Sequence, residues 1–273
     1  MIATLSHPGP ASARRWAAAP CHAQPIEVTL PVADTLAQSA ALALAGFDGG
    51  WIEIRDETLA NLDFVIPGPD PTGAHAAWYA GPHRMGAGRI DHLGMHVGLK
   101  DGAPWIHGHG AFDAPGWRGP GFGHILPHES RLARPIRARG WGIRGARLAV
   151  AADPETHFPL FQPADLGGGG GAALITTRPN QDMGAAIAAA AAAVGITRGR
   201  ILGLGSLVHP RLQGQAPIDS YATEILLTQG FLDKGLARIE AEVVTLDATL
   251  HKGWLTPGEN GVCITAEVLV LAS

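Results

Sequence analysis

Cysteine is scarce in this sequence. Cys21 and Cys263 are the only two among 273 residues, which is too few for a disulfide framework and gives no metal-spaced pair, so the chain suits a reducing compartment. Long apolar runs are missing as well. The alanine-rich stretch from Ala185 to Val194 is too short and too weakly apolar for a membrane span and reads as a soluble helix. Charge is thin, at 16% of residues, and its balance is −4 with a sequence pI of about 6.3. A phosphate-backbone binder concentrates basic charge on one surface, so this balance argues against generic nucleic-acid affinity and leaves room only for a local patch. Residues 1–24 are rich in Pro, Ala and Ser and carry Arg14-Arg15, yet no apolar run of signal-peptide length follows. They read as a flexible start to a cytoplasmic protein.

Glycine (37) and proline (21) are plentiful, and 46% of the chain is hydrophobic. The chain can therefore bury a real core, divided among many short strands and turns, in one large domain or two of common size. The densest chemistry lies in Trp105-Ile106-His107-Gly108-His109-Gly110. On an extended strand alternate side chains share a face, which sets His107 and His109 about 6.5 to 7 Å apart on one side. That spacing suits one metal ion. Three imidazoles with an open fourth position form the pattern of hydrolytic and lyase zinc sites. The turn-rich stretch after Asp113 would return the chain as a hairpin and bring His124 beside the pair, with His92, His96 and His128 competing for the third place.

The chain repeats itself. Glu224-Ile225-Leu226 to Glu242-Val243 overlays Asp91-His92-Leu93 to His109-Gly110 without a gap, and Gly253-Trp254-Leu255-Thr256-Pro257 matches Gly123-His124-Ile125-Leu126-Pro127. Upstream, Asp182 to Gly199 matches Asp34 to Gly49 as an alanine-rich helix that ends in glycine. The reading is a first domain over 25–150, a Gly/Pro connector over 151–173 and a second domain over 174–273. The five glycines from Gly167 to Gly171 are followed by no Gly-Lys-Ser/Thr, so they read as linker and not as a phosphate loop.

Leu204-Gly205-Ser206-Leu207, Glu224-Ile225-Leu226 and Thr265-Ala266-Glu267-Val268 in the second half, with His107-Gly108-His109 and Gly123-His124-Ile125-Leu126 in the first, resemble the plant and prokaryote conserved (PPC) domain family. The resemblance covers about Val28 to Val150 and Ile175 to Leu271. It implies an α+β fold in two tandem copies, each a mostly antiparallel sheet with one main helix, and assembly as a trimer. It also implies a distant kinship with acetolactate decarboxylase and a zinc-dependent ester hydrolase, both with His-x-His…His metal sites. Plant members join this domain to AT-hooks. Here no Arg-Gly-Arg-Pro core occurs, only Arg198-Gly199-Arg200 running into an apolar strand, and fold-level analogy does not settle function.

The copies differ where chemistry is expected. Glu240, Glu242 and Trp254 stand in the second copy where the first has His107, His109 and His124, so the second is expected to be a structural partner without this metal. Where the second copy has Gly203-Leu204-Gly205-Ser206, the first has Glu53-Ile54-Arg55-Asp56-Glu57. Charges on a core-like strand are costly unless paired or functional, the alternative being an edge strand with a solvated face. If Glu53, Arg55 and Glu57 face the histidines, they supply acid/base carboxylates and a guanidinium for an anion beside Zn2+ or another divalent transition metal. The expected function is a zinc-dependent lyase or hydrolase acting on a small carboxylate-bearing molecule. The competing reading is a non-catalytic regulatory or DNA-associated protein with a structural metal or none. Arg131, Arg134, Arg137 and Arg139, with Arg144 and Arg147, read as a solvated face or oligomer contact before a DNA track. The insertion from Pro67 to Gly88 is a lid or a decoration, and Ser130 a turn or cap before a nucleophile.

Overall fold

The computed structural model describes residues 2–119 and 121–273. In its first half the chain forms β1 (Trp16–Leu30), α1 (Leu36–Ala43), β2 (Gly49–Asn61), β3 (Asp63–Gly68), β4 (Trp78–Arg84), β5 (Gly88–Lys100), β6 (Ala103–Asp113), β7 (Phe122–Ile125), β8 (Arg131–Leu132) and β9 (Ile136–Arg144). A hairpin of β10 (Ala146–Ala152) and β11 (Pro159–Asp165) follows. The second half holds β12 (Ala172–Thr177), α2 (Met183–Ala193), β13 (Arg198–Val208), β14 (Thr223–Asp233), β15 (Leu236–Thr245), β16 (Leu250–Trp254) and β17 (Gly261–Ala272). Mostly antiparallel sheet with two short helices makes this an α+β fold.

The first sheet runs β1-β9-β2-β5-β6-β7, with β3 beside β7 and β4 beside β3. The second runs β12-β17-β13-β14-β15-β16. β1 belongs to both: Trp16 to Cys21 pair with β12, and His22 to Leu30 pair with β9. Each helix starts at a side-chain cap. Thr35 accepts from the Gln38 amide and Asp182 from the Ala185 amide, satisfying donors that a first turn leaves free.

Alternation along the strands sorts the apolar residues into layers. Ile225, Leu227, Val243, Val268 and Val270 pack under α2, while Ile52, Ile54, Leu93, Met95 and Val97 pack under α1. The opposite faces of the two sheets meet each other through Trp51, Leu202, Leu204, Leu226, Leu269 and Leu271. The order is helix, sheet, sheet, helix. At Gly94 a Cβ would lie 2.5 Å from the Trp51 ring and 2.8 Å from Leu226. Glycine there is what lets the two sheets close over the indole.

Three expectations change. The flexible start through Gln24 ends at Trp16, where β1 begins, and the residues before it are tied down. Leu5 exchanges two hydrogen bonds with the Asn180 side chain, and Arg15 pairs with Glu155 at 2.8 Å. The connector over 151–173 contains β11, because Pro159 to Asp165 find open backbone partners on β10. Finally, β2 is no edge strand, since it lies between β5 and β9. The insertion from Pro67 to Gly88 supplies β4, and Ser130 is structural: its hydroxyl accepts from the Asp63 amide and donates to the Asp63 carbonyl.

Candidate metal centre between the sheets

β6 directs His107 and His109 toward the second sheet, and β7 returns antiparallel with His124 opposite His109. The three rings converge, with centroids 4.8 Å apart for His107–His109, 4.8 Å for His107–His124 and 5.2 Å for His109–His124. The second sheet closes over them with carboxylates. Glu224 on β14 places Oε2 3.0 Å from His109 Nε2, and Glu267 on β17 places Oε2 2.8 Å from His107 Nδ1. One ligand atom from each of His107, His109, His124 and Glu224 lies within 4.8 Å of all the others.

Hydrogen bonding decides which nitrogens face the centre. His107 donates Nδ1–H to Glu267, and His109 donates Nδ1–H to the Ile225 carbonyl at 2.8 Å. That leaves the two Nε2 atoms facing each other at 3.0 Å. Two lone pairs at this distance repel unless a proton or a cation lies between them. Donors around one tetrahedral zinc sit about 3.3 Å apart, given bonds of about 2.0 to 2.1 Å. The Nδ1 of His124 is buried and has no hydrogen-bond partner. The arrangement therefore fits an ion: convergent lone pairs, an unpartnered imidazole nitrogen, a carboxylate, and outer acceptors that fix the ring orientation.

The electrostatics agree. Burial works against a charge on His107, but the charge and hydrogen bond of Glu267, with the charge of Glu224, outweigh it and hold its pKa above the ordinary value. Burial, reinforced by the neighbouring His107 and His109, pushes His124 well down. One imidazole is thus kept neutral while another sits among negative groups that favour a cation.

Two of the competing histidines are occupied elsewhere. His92 meets Glu242 at 2.7 Å, and His96, pushed down to about 4 by burial, bonds the Glu267 carbonyl at 3.1 Å. His128 lines the same cavity as the cluster but lies outside the four donors, its ring tilted 33° against Trp105 with centroids 4.7 Å apart. In the second half, Glu242 takes Lys252 as well as His92, Glu240 accepts from Thr228, and Trp254 stacks on Phe231.

The trio from β2 goes to a different place. By register, Trp51, Glu53 and Arg55 oppose His96, Gly94 and His92, which in turn oppose His107, His109 and Ala111. Glu53 and Arg55 therefore lie on the same sheet face as the histidines. They line a separate groove, of about 600 Å³, with Arg137, Arg139 and Glu27. Glu53 accepts from the Trp51 indole at 3.1 Å, and Glu57 pairs with Arg134 at 2.7 Å. The histidine cavity, of about 390 Å³, is lined by His107, His124, Glu224 and Glu267 but by neither Glu53, Arg55 nor Glu57. The intervening strand β5 sets the trio off to one side, outside the cavity that the histidines line.

The site also draws on residues that the sequence reading passed over. Glu224 and Glu267 were visible as lone carboxylates in Thr223-Glu224-Ile225-Leu226-Leu227 and Thr265-Ala266-Glu267-Val268-Leu269. Each shares strand parity with a leucine facing the other sheet, Leu226 and Leu269. A carboxylate buried at 8% and 1% exposure needs a partner.

Fold and site together define an α+β protein of two facing sheets with a three-histidine, one-carboxylate donor set between them. No family model matches the sequence, and no curated protein matches it. Among solved structures the chain is similar to a metal-containing protein from Archaeoglobus fulgidus, at 19% identity over 51% of this chain and 93% of that chain, with a TM-score of 0.38. It is also similar to a plant- and prokaryote-conserved (PPC) protein from Pyrococcus horikoshii, at 15% identity over 54% of this chain and 96% of that chain, with a TM-score of 0.37.

Proposed function

We propose that this chain is a divalent-metal protein built from two PPC-like units, in which the first unit gives His107, His109 and His124 and the second gives Glu224. The convergence of those four donors carries the reading. The tandem arrangement is supported by the identical pairing order of the two sheets, each with its helix on the outer face, and by the motif overlay. The donor chemistry suits zinc or a neighbouring first-row ion.

When bound, such an ion supplies Lewis acidity toward an oxygen of a small molecule in the adjoining cavity. The chain's own residues orient the donors and exclude water: Glu267 and the Ile225 carbonyl fix two ring tautomers, and aromatic side chains wall the cavity. With Glu224 as a fourth protein donor, a lyase or hydrolase activity requires the ion to take a fifth ligand from the cavity beside the donors. Its acid/base group is better sought in Glu267, which lines the cavity without belonging to the four donors, than in Glu53, Arg55 or Glu57. Metal analysis of the purified protein tests the reading. About one divalent ion per chain is expected, lost in His107→Ala/His109→Ala and weakened about ten- to a hundredfold in Glu224→Gln. Full metal content in the double histidine variant sinks the assignment.

A further inference from the structure

We propose that the cavity over the metal centre takes a neutral, flat, ring-bearing small molecule with one oxygen donor for the ion, in place of the carboxylate-bearing anion that the sequence suggests. This rests on the metal reading above. The walls are aromatic. Trp78 and Tyr79 come from β4, Trp105 from β6, and Phe158 and Phe161 from the connector and its strand. Trp78 stacks on Phe158 with centroids 5.0 Å apart and planes 26° apart, yet keeps 38% of its surface exposed. Apolar ring surface left open in a concave site is where a ligand gains most by burial. A volume of about 390 Å³ admits a single-ring molecule.

Charge excludes the alternative. Among the described lining residues there is no lysine or arginine, and Arg55, the guanidinium once expected to hold an anion, opens on another groove. Glu224 and Glu267 both line the floor. These two carboxylates offset the double charge of a bound ion, and Glu129 on the lining offsets Lys100, whose Nζ lies 4.4 Å over the Trp105 ring, so little field draws an anion into apolar walls where its desolvation is costly. Neutral polar side chains, Tyr79, Ser206 and Thr265, also line the cavity and can meet a ligand's second polar group.

The test uses the full-length protein, loaded with zinc and with zinc content measured on the same sample. Binding is followed by tryptophan fluorescence and calorimetry with benzohydroxamic and acetohydroxamic acids, which share a metal-binding head and differ in the ring, and with benzamide and benzoate, which share the ring and differ in charge. The ring-bearing hydroxamate is expected to bind at least about tenfold more tightly than the methyl one, and benzamide about tenfold more tightly than benzoate. Phe158→Ala and Trp105→Ala should each shrink the ring preference while zinc content stays unchanged. Equal binding of the two hydroxamates, benzoate binding as tightly as benzamide, or no saturable signal from any ring-bearing probe overturns the proposal. Absence of zinc overturns the metal reading by itself, and the benzamide–benzoate comparison on that zinc-free sample then decides the ligand class.

Discussion

Glu267 Oε2 turns His107 by its Nδ1 and so aims Nε2 at the centre. The same residue's backbone carbonyl receives His96, so one position on β17 anchors two imidazoles of the facing sheet. Replacing the carboxylate with an amide keeps the shape but removes the charge that favours a cation. We expect Glu267→Gln to weaken metal affinity by about ten- to a hundredfold while the fold persists, measured by competition with a chromophoric chelator. Unchanged affinity would mean that His107 is oriented by packing alone. The histidines were legible in the sequence because strand alternation puts i and i+2 on one face and the turn after Asp113 returns the chain. Glu224 and Glu267 were not, because their partners His109 and His107 lie 115 and 160 positions away in the chain and no local pattern encodes which sheet will face which.

Among the elements, β5 and β15 are joined across the two sheets by His92 and Glu242. Burial works to raise the Glu242 pKa, but the hydrogen bond and charge of His92, with those of Lys252, overcome it and leave the group below its ordinary value. A carboxylate depressed in the folded state contributes stability above its unfolded pKa, and this is lost as pH falls through the folded one. The protein should therefore lose stability in acid below about pH 4.5, and Glu242→Gln should flatten that part of the profile. Urea midpoints of both proteins between about pH 6 and pH 3 measure it; parallel profiles would remove Glu242 from the account. The helices and the alternating strands of the second half were readable from sequence. The strand over Trp16–Leu30 was hidden in its first part, since prolines and alanines before Ile26 give no apolar alternation and its partners are divided between two sheets. The charges on β2 misled in the other direction, because a central strand can still border solvent-filled grooves, as Arg55 does midway along β2.

For the whole molecule, the arginine stripe bears on partners. Arg139 pairs with Glu27, Arg134 with Glu57 and Arg147 with Asp48, and the net charge is −4. Three of the six arginines are thus matched to carboxylates, and matched cations release few counterions from a duplex. Binding to duplex DNA should be weaker than about 1 μM near 0.15 M salt, read by fluorescence anisotropy. Sub-micromolar affinity with a steep salt slope would promote the DNA-associated reading over the small-molecule one. Among the described residues no helix is long and apolar enough to cross a membrane.

The donors are also ordered in time. A chain grows from its amino end and its parts fold as they emerge, so the three histidines leave the ribosome about a hundred residues before Glu224 and still longer before Glu267. Through that interval the histidine hairpin lacks both its fourth donor and the acceptor that turns His107. The centre matures only when the second sheet has docked on the first, and an ion held there links the two halves of the chain. Withdrawing the ion with a chelator should then loosen the seam between the sheets before either sheet itself comes apart, because the bound state alone gains from it.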